Sequence, residues 1–285
     1  MVIRNLVAVF LAAATLGTAA GAYTITTIDV PGAVLTAPQG INALGQVVGT
    51  TTGADGVTRG FLLAGGAFTP INIPGHLQTA PRGINDLETI VGQYDDGPIT
   101  GPTSTHGFLL RNGQFTTIDF PGVSFTGVFG INNFGTMVGN IIDNGGVNHG
   151  FLHANGKFTQ IDVPGAAQTF AFGINDEGEI VGFYVDQTGL HGYLRPFDRH
   201  FITIDVPGAT DTRGRGINDL GIIAGQYTNA SGTHAFVDTF GVFTTIDVAG
   251  AAATFGRGIN QLGDVAGNFI DATSGHTRGF VATTH

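Results

Sequence analysis

The chain has 285 residues, 11 basic against 21 acidic, a formal charge of −10 and no cysteine. The acidic surplus opposes nucleic acid and anionic lipid, which call for a basic face. The missing cysteine excludes disulfides, thiolate metal sites and a cysteine nucleophile.

The first 22 residues stand apart from everything that follows. Arg4 gives a positive start, Leu6 to Leu16 is an apolar stretch of 11 residues, and Ala20-Gly21-Ala22 offers small residues for cleavage. That order predicts a secretory signal peptide over 1–22. A membrane helix needs ~20 apolar residues, so this stretch is too short to span. The mature chain is then 23–285, read as one domain secreted, periplasmic or on the cell surface. Without Arg4 it holds 10 basic residues and a charge of −11. No later segment is apolar enough to cross a bilayer.

From Tyr23 onward one phrase repeats. Gly-Ile-Asn begins at Gly40, Gly83, Gly130, Gly173, Gly216 and Gly258, at steps of 43, 47, 43, 43 and 42 residues. A fixed period in this range means that fold is read from one repeat and multiplied. In the copy from His149, residues 149–154 alternate and stop at Asn155-Gly156, a hairpin signal. Lys157 to Val163 is β-branched and aromatic at period two and stops at Pro164-Gly165. A third strand leads from Thr169 into Gly173-Ile174-Asn175. Asn175-Asp176-Glu177-Gly178 turns the chain into a fourth, Glu179 to Val185.

Four short antiparallel strands per repeat predict an all-β, six-bladed β-propeller of four-stranded blades. The alternative, a β-solenoid, has shorter coils and needs caps that the sequence lacks. The mature chain begins on a Thr-Ile-Asp strand and ends on a Gly-Phe strand, so pairing of the N- and C-terminal strands is expected to close the ring. Gly-Ile-Asn is expected innermost, since glycine permits close backbone approach. Strand order puts the Asn-Gly and Asn-Asp-x-Gly turns on one face. The Pro-Gly-Ala and His-containing loops lie on the other, the better face for a ligand.

His-Ala-Phe at His234, His-Gly-Phe at His106 and His149, and His-Gly-Tyr at His191 follow these units, with Arg59 and Arg278 in the outer copies. The pattern resembles the bacterial extracellular HAF repeat over the whole mature chain. The resemblance implies an exported repeat protein of a family whose function is generally unassigned, and it brings no catalytic residues.

Most repeated polar residues read as architecture. The recurrent histidines, with Asp96, Asp143 and Asp186 in the same loops, have metal-ligand chemistry. Equivalent positions in a ring are nevertheless held apart, so each His is expected to bond within its own blade. Asp29, Asp119, Asp162, Asp205 and Asp247 are expected to cap loop N–H groups. Calcium has thin support, because loops such as 186–189 offer one carboxylate for an ion that takes six to eight oxygens. No metal and no cofactor are expected.

Function is sought where the copies disagree. Immediately before Gly-Ile-Asn stand Gln39, Arg82, Phe129, Phe172, Arg215 and Arg257; two residues earlier stand Ala37, Ala80, Gly127, Phe170, Arg213 and Phe255. Period two places both positions on one side of the strand. Arg82, Arg213, Arg215, Arg257, Phe129, Phe170, Phe172 and Phe255 are the candidate ligand-binding residues. The competing reading packs Arg on Phe as filling between blades. A binding module for a glycan, peptide or small anion is the first functional expectation. A hydrolase or lyase acting on an acidic extracellular polymer, and a structural envelope or matrix protein, are the alternatives.

Overall fold

The computed structural model describes residues 23–76, 78–96 and 104–284. The expected signal peptide, 1–22, lies outside them. All regular elements are strands, and among the described residues no helix is long and apolar enough to cross a membrane.

Among the described residues, twenty-four strands form six four-stranded antiparallel meanders. The first is β2 (Leu35–Ile41), β3 (Val47–Thr52), β4 (Thr58–Ala64) and β5 (Ala67–Ile71). The second is β6 (Gln78–Ile84), β7 (Ile90–Asp95), β8 (Thr105–Arg111) and β9 (Gln114–Ile118). The third is β10 (Phe125–Ile131), β11 (Met137–Ile142), β12 (Asn148–Ala154) and β13 (Lys157–Ile161). The fourth is β14 (Gln168–Ile174), β15 (Ile180–Val185), β16 (Leu190–Arg195) and β17 (Ile202–Ile204). The fifth is β18 (Asp211–Ile217), β19 (Ile223–Asn229), β20 (Gly232–Thr239) and β21 (Val242–Ile246). In the sixth, β22 (Ala251–Ile259), β23 (Val265–Asp271) and β24 (Thr277–Thr283) take β1 (Thr24–Ile28) as their fourth strand, with Thr24 opposite Thr283 and Ile28 opposite Gly279.

The meanders are not six separate sheets. Single parallel bridges, Leu35 to Thr277, Phe125 to Thr105 and Leu190 to Asp211, join them pairwise into three eight-stranded sheets. Each bridge sits where an inner strand enters beside the third strand of its neighbour.

Local chemistry makes each meander. Asn112 and Asn155 have φ of 51° and 52°, and Gly113 and Gly156 follow at 75°, as a two-residue Asn-Gly hairpin requires. The aromatic ring of His-Gly-Phe is fully buried in Phe108, Phe151, Phe236 and Phe280. It lies over the glycine of the Val-Gly pair: a Cβ on Gly49 would stand 2.9 Å from the Phe61 ring. Burying each such ring contributes about 1.5–3 kcal/mol. Six apolar clusters hold the meanders together, each drawing residues from two neighbours. One combines Ile28 and Ala266 of the sixth with Ile41, Val47 and Phe61 of the first.

The Gly-Ile-Asn strands are innermost and touch in a circle. A Cβ on Gly40 would meet the Arg82 carbonyl oxygen at 3.0 Å, and one on Gly258 would meet the Gly40 Cα at 3.0 Å. Below the glycines, each Asn donates Nδ2–H to the carbonyl of the next, from Asn42 to Asn85 (3.2 Å) around to Asn260 and back to Asn42 (3.3 Å). Each Asn Oδ1 also accepts from its own turn, as Asn132 does from Phe134 N–H (3.1 Å) and Thr136 N–H (2.9 Å).

One expectation about the loops is corrected. The loop N–H after each Asp is capped by the repeated Thr: Val30 N–H to Thr36 Oγ1 at 3.1 Å, Phe120 to Thr126 at 3.1 Å, Val163 to Thr169 at 2.9 Å. Those Thr are buried and point back under the loop. The carboxylates of Asp119, Asp162, Asp205 and Asp247 face outward and take the histidines instead, and that of Asp29 lies 3.9 Å from Arg278.

Candidate functional site

Every inner strand carries a β-bulge one residue before its Gly-Ile-Asn glycine. The register slips between Pro38 and Gly40, Pro81 and Gly83, Val128 and Gly130, and likewise in the other three copies. The skipped residue is the variable one. The expected alternation is therefore interrupted at that position, and a bulge re-aims a side chain. Gln39, Arg82, Phe129, Phe172, Arg215 and Arg257 line one axial cavity.

Five of the eight candidate residues thus come together, while Arg213, Phe170 and Phe255 sit beside the cavity. Asp211 holds Arg213 through Nε (3.0 Å) and Nη2 (2.7 Å). Phe170 stacks on Phe183 at 4.4 Å between centroids, and Phe255 lies under Arg257 at 5.5 Å. The stacking between neighbours is also present. The Arg215 guanidinium lies 4.1 Å from the Phe172 centroid and 5.3 Å from Phe183, and Arg82 lies 5.5 Å from Phe129.

Stacking leaves the charges unanswered. Among the described residues no carboxylate pairs with Arg82, Arg215 or Arg257. Arg82 Nε and Arg215 Nε are buried without a hydrogen-bond partner, whereas Arg257 Nε reaches Asn268 Oδ1 at 3.2 Å. Burial lowers the Arg82 pKa to about 10. Burial, then Arg82 and Arg213, lower that of Arg257 to about 10 as well. Both remain charged at neutral pH. Arg215 is pushed well below the ordinary arginine value, by burial first and then by Arg257, Arg213 and Arg82. Removing water from unpaired charges is costly, and an anion placed among them would reverse the penalty.

Sequence reasoning passed over the residue after each Val-Gly or Ala-Gly pair: Thr50, Gln93, Asn140, Phe183, Gln226 and Asn268. It stands directly across from the residue three before the Gly-Ile-Asn glycine, so Gln93 faces Ala80 and Gln226 faces Arg213 in register. Gln93 Oε1 and Gln226 Oε1 are buried and unpartnered. The available signal was the disagreement of the six copies at this position too.

The opposite end of the axis has the reverse polarity. Ala43 N–H donates to Asp86 Oδ1 (2.7 Å), Asn133 N–H to Asp176 Oδ1 (2.8 Å) and Asp176 N–H to Asp219 Oδ1 (2.8 Å). Burial, with Asp176, Glu177 and Asp86 nearby, raises the Asp219 carboxyl against the hydrogen bond from Asp176.

The histidines are engaged in their own loops. His106 Nδ1 is 2.9 Å from Asp119 and its Nε2 3.3 Å from Asp96; His149 has Asp162 at 2.7 Å and Asp143 at 3.4 Å. Burial lowers both pKa values, but these carboxylates outweigh it and the net direction is upward. Arg59, in the first copy, pairs with Asp55 at 2.6 Å. No group of three His, Asp or Glu able to hold a metal ion occurs among the described residues.

No family model and no curated protein matches the chain. Solved structures do. AofleA from Arthrobotrys oligospora superposes with a TM-score of 0.58 at 12% identity, over 91% of this chain and 86% of the other. The β-propeller domain of the Trilobed protease from Pyrococcus furiosus matches with a TM-score of 0.51 at 9% identity, over 86% and 78%. The fold is a β-propeller. A virginiamycin B lyase from Staphylococcus aureus is also similar, with a TM-score of 0.51 at 10% identity over 91% and 99% of the two chains. At such identities the likeness extends to the propeller fold and no further.

Proposed function

We propose that this chain is an exported six-bladed propeller of the HAF-repeat kind, serving as a binding module for an anionic ligand on its axis. The six meanders are the blades, and β1 on β24 is the closure. The observation that carries the binding reading is the set of three arginines, Arg82, Arg215 and Arg257, sharing one cavity without a carboxylate. Two arginine Nε groups there lack any partner. A wall that only packs is better made of apolar side chains, since replacing buried charge by hydrophobic groups of similar volume is often stabilising. The cavity is narrow, framed by one side chain from each of six inner strands, which favours a small anion or the tip of a longer glycan or peptide over an internal stretch of polymer.

A hydrolase or lyase would need an acid–base group beside the arginines. The cavity is lined by Arg, Phe and Gln and brings no carboxylate or histidine to serve as one. The arrangement therefore supports holding a ligand more than transforming one.

The test is calorimetric titration of residues 23–285 with phenylacetate and inorganic phosphate. Saturable binding, lost in Arg215→Ala and Arg257→Ala without a fall in melting temperature, is the expected result. A large fall in melting temperature with no binding in the parent would assign the arginines to packing.

A further inference from the structure

The cavity also carries information about what the anion is attached to. Resting on the anion site proposed above, we infer that its occupant is a peptide C-terminus: a free carboxylate, a backbone amide beside it, and an apolar last side chain.

The ring is divided, not mixed. In order around the axis Arg215, Arg257, Gln39 and Arg82 follow one another, and Phe129 and Phe172 complete the circle with rings 4.9 Å apart. One half therefore addresses a negative head, and the other an apolar body joined directly to it. A carboxylate accepts the paired N–H groups of a guanidinium in one plane, which suits the cationic half. Phe172 and Phe183, stacked at 5.4 Å, continue the apolar wall away from the head.

Two further groups ask for something that a simple anion lacks. Gln93 and Gln226 end in buried, unpartnered oxygens on the second strand of their meanders, in register with Ala80 and Arg213 of the inner strand. Sulfate brings acceptors only and would leave those oxygens unanswered, and hydrogen phosphate has a hydroxyl donor but no apolar group for the phenylalanine half of the ring. A peptide unit brings both an N–H and a C=O, and so answers a glutamine amide in either orientation. Polarity sets the direction. Asp86, Asp176 and Asp219 gather at the turn end of the axis. A carboxylate is repelled there and enters from the loop end, so its chain leaves past Phe170, Phe183 and Phe255.

The probes are N-acetyl-Ala-Ala-Phe as the free acid, the same peptide as its C-terminal amide, phenylacetate and inorganic phosphate, each titrated into residues 23–285. The free acid is expected to bind, and the amide about tenfold or more weaker, because the charge-assisted hydrogen bonds are gone. Gln226→Leu should weaken the tripeptide acid severalfold more than phenylacetate. Arg215→Met should abolish both, with circular dichroism confirming the strand content of each variant. Equal binding of acid and amide overturns the inference. Binding of phenylacetate or phosphate without the tripeptide acid overturns it as well, yet leaves the anion site standing. If none of the four binds, both readings fall.

Discussion

Two rings one residue apart on the same inner strands follow opposite rules. The lower ring is invariant: six glycines in backbone contact and six asparagines each donating to the next carbonyl. The upper ring holds Gln, Arg, Phe, Phe, Arg and Arg. The difference has a physical source. The upper residue takes part in the circle through its main chain alone, since the Arg82 carbonyl meets Gly40 and the Phe129 carbonyl meets Gly83. Its side chain takes no part in that circle and differs from copy to copy. Identity marks where side chains build the ring, and disagreement marks where the ring releases them for use.

Breaking the lower ring should have the largest effect. Asn132→Ala removes the buried bond from Nδ2 to the Asn175 carbonyl (3.0 Å) and leaves two part-buried N–H groups of its turn, those of Phe134 and Thr136, without their acceptor. Chemical denaturation is expected to show a loss of about 3 kcal/mol. Arg215→Met, in the upper ring, should act in the opposite direction. It gives up cation–π contacts of up to about 2 kcal/mol but relieves a larger desolvation penalty, for a net gain of about 1–3 kcal/mol. A fall in stability of Asn132 size at this position would dissolve the contrast between the rings.

The loop histidines should give the smallest effect. The folded pKa of His106 and of His149 lies above the ordinary 6.5. The protonated folded state is therefore favoured, and the contribution is complete below pH 6.5 and fades as pH rises through the raised values. Melting temperature should drift downward over that window, and His106→Gln with His149→Gln should flatten the drift. A parent curve that rises there would contradict the pairing with Asp119 and Asp162. Both pairs lie at the surface, where such interactions are weak.

Much of the fold could be read in advance because it is local. Asn-Gly turns, alternating Val and Thr, and the strand shared by the chain ends each follow from neighbouring residues, and β1 does lie on β24. What escaped depends on contacts between copies. The exchange of roles between Asp and Thr in the loops follows from burial of Thr36 and its equivalents, which no alternation pattern reveals. The joining of meanders into three sheets depends on single parallel bridges at strand entries. In the candidate site, Arg82, Arg215, Arg257, Phe129 and Phe172 were legible as misfits in a repeating phrase. The bulge that aims them at one cavity, and Gln93 and Gln226 across the strand, were not, because register is set by pairing and not by composition.

The most direct measurement is the melting temperature of the parent and of Arg215→Met, each with and without saturating phenylacetate. An anion site predicts that the variant melts higher than the parent in buffer alone, and that phenylacetate raises the parent but not the variant. A variant that melts lower, in a protein whose melting phenylacetate never shifts, would show that the arginines are mortar between neighbouring meanders.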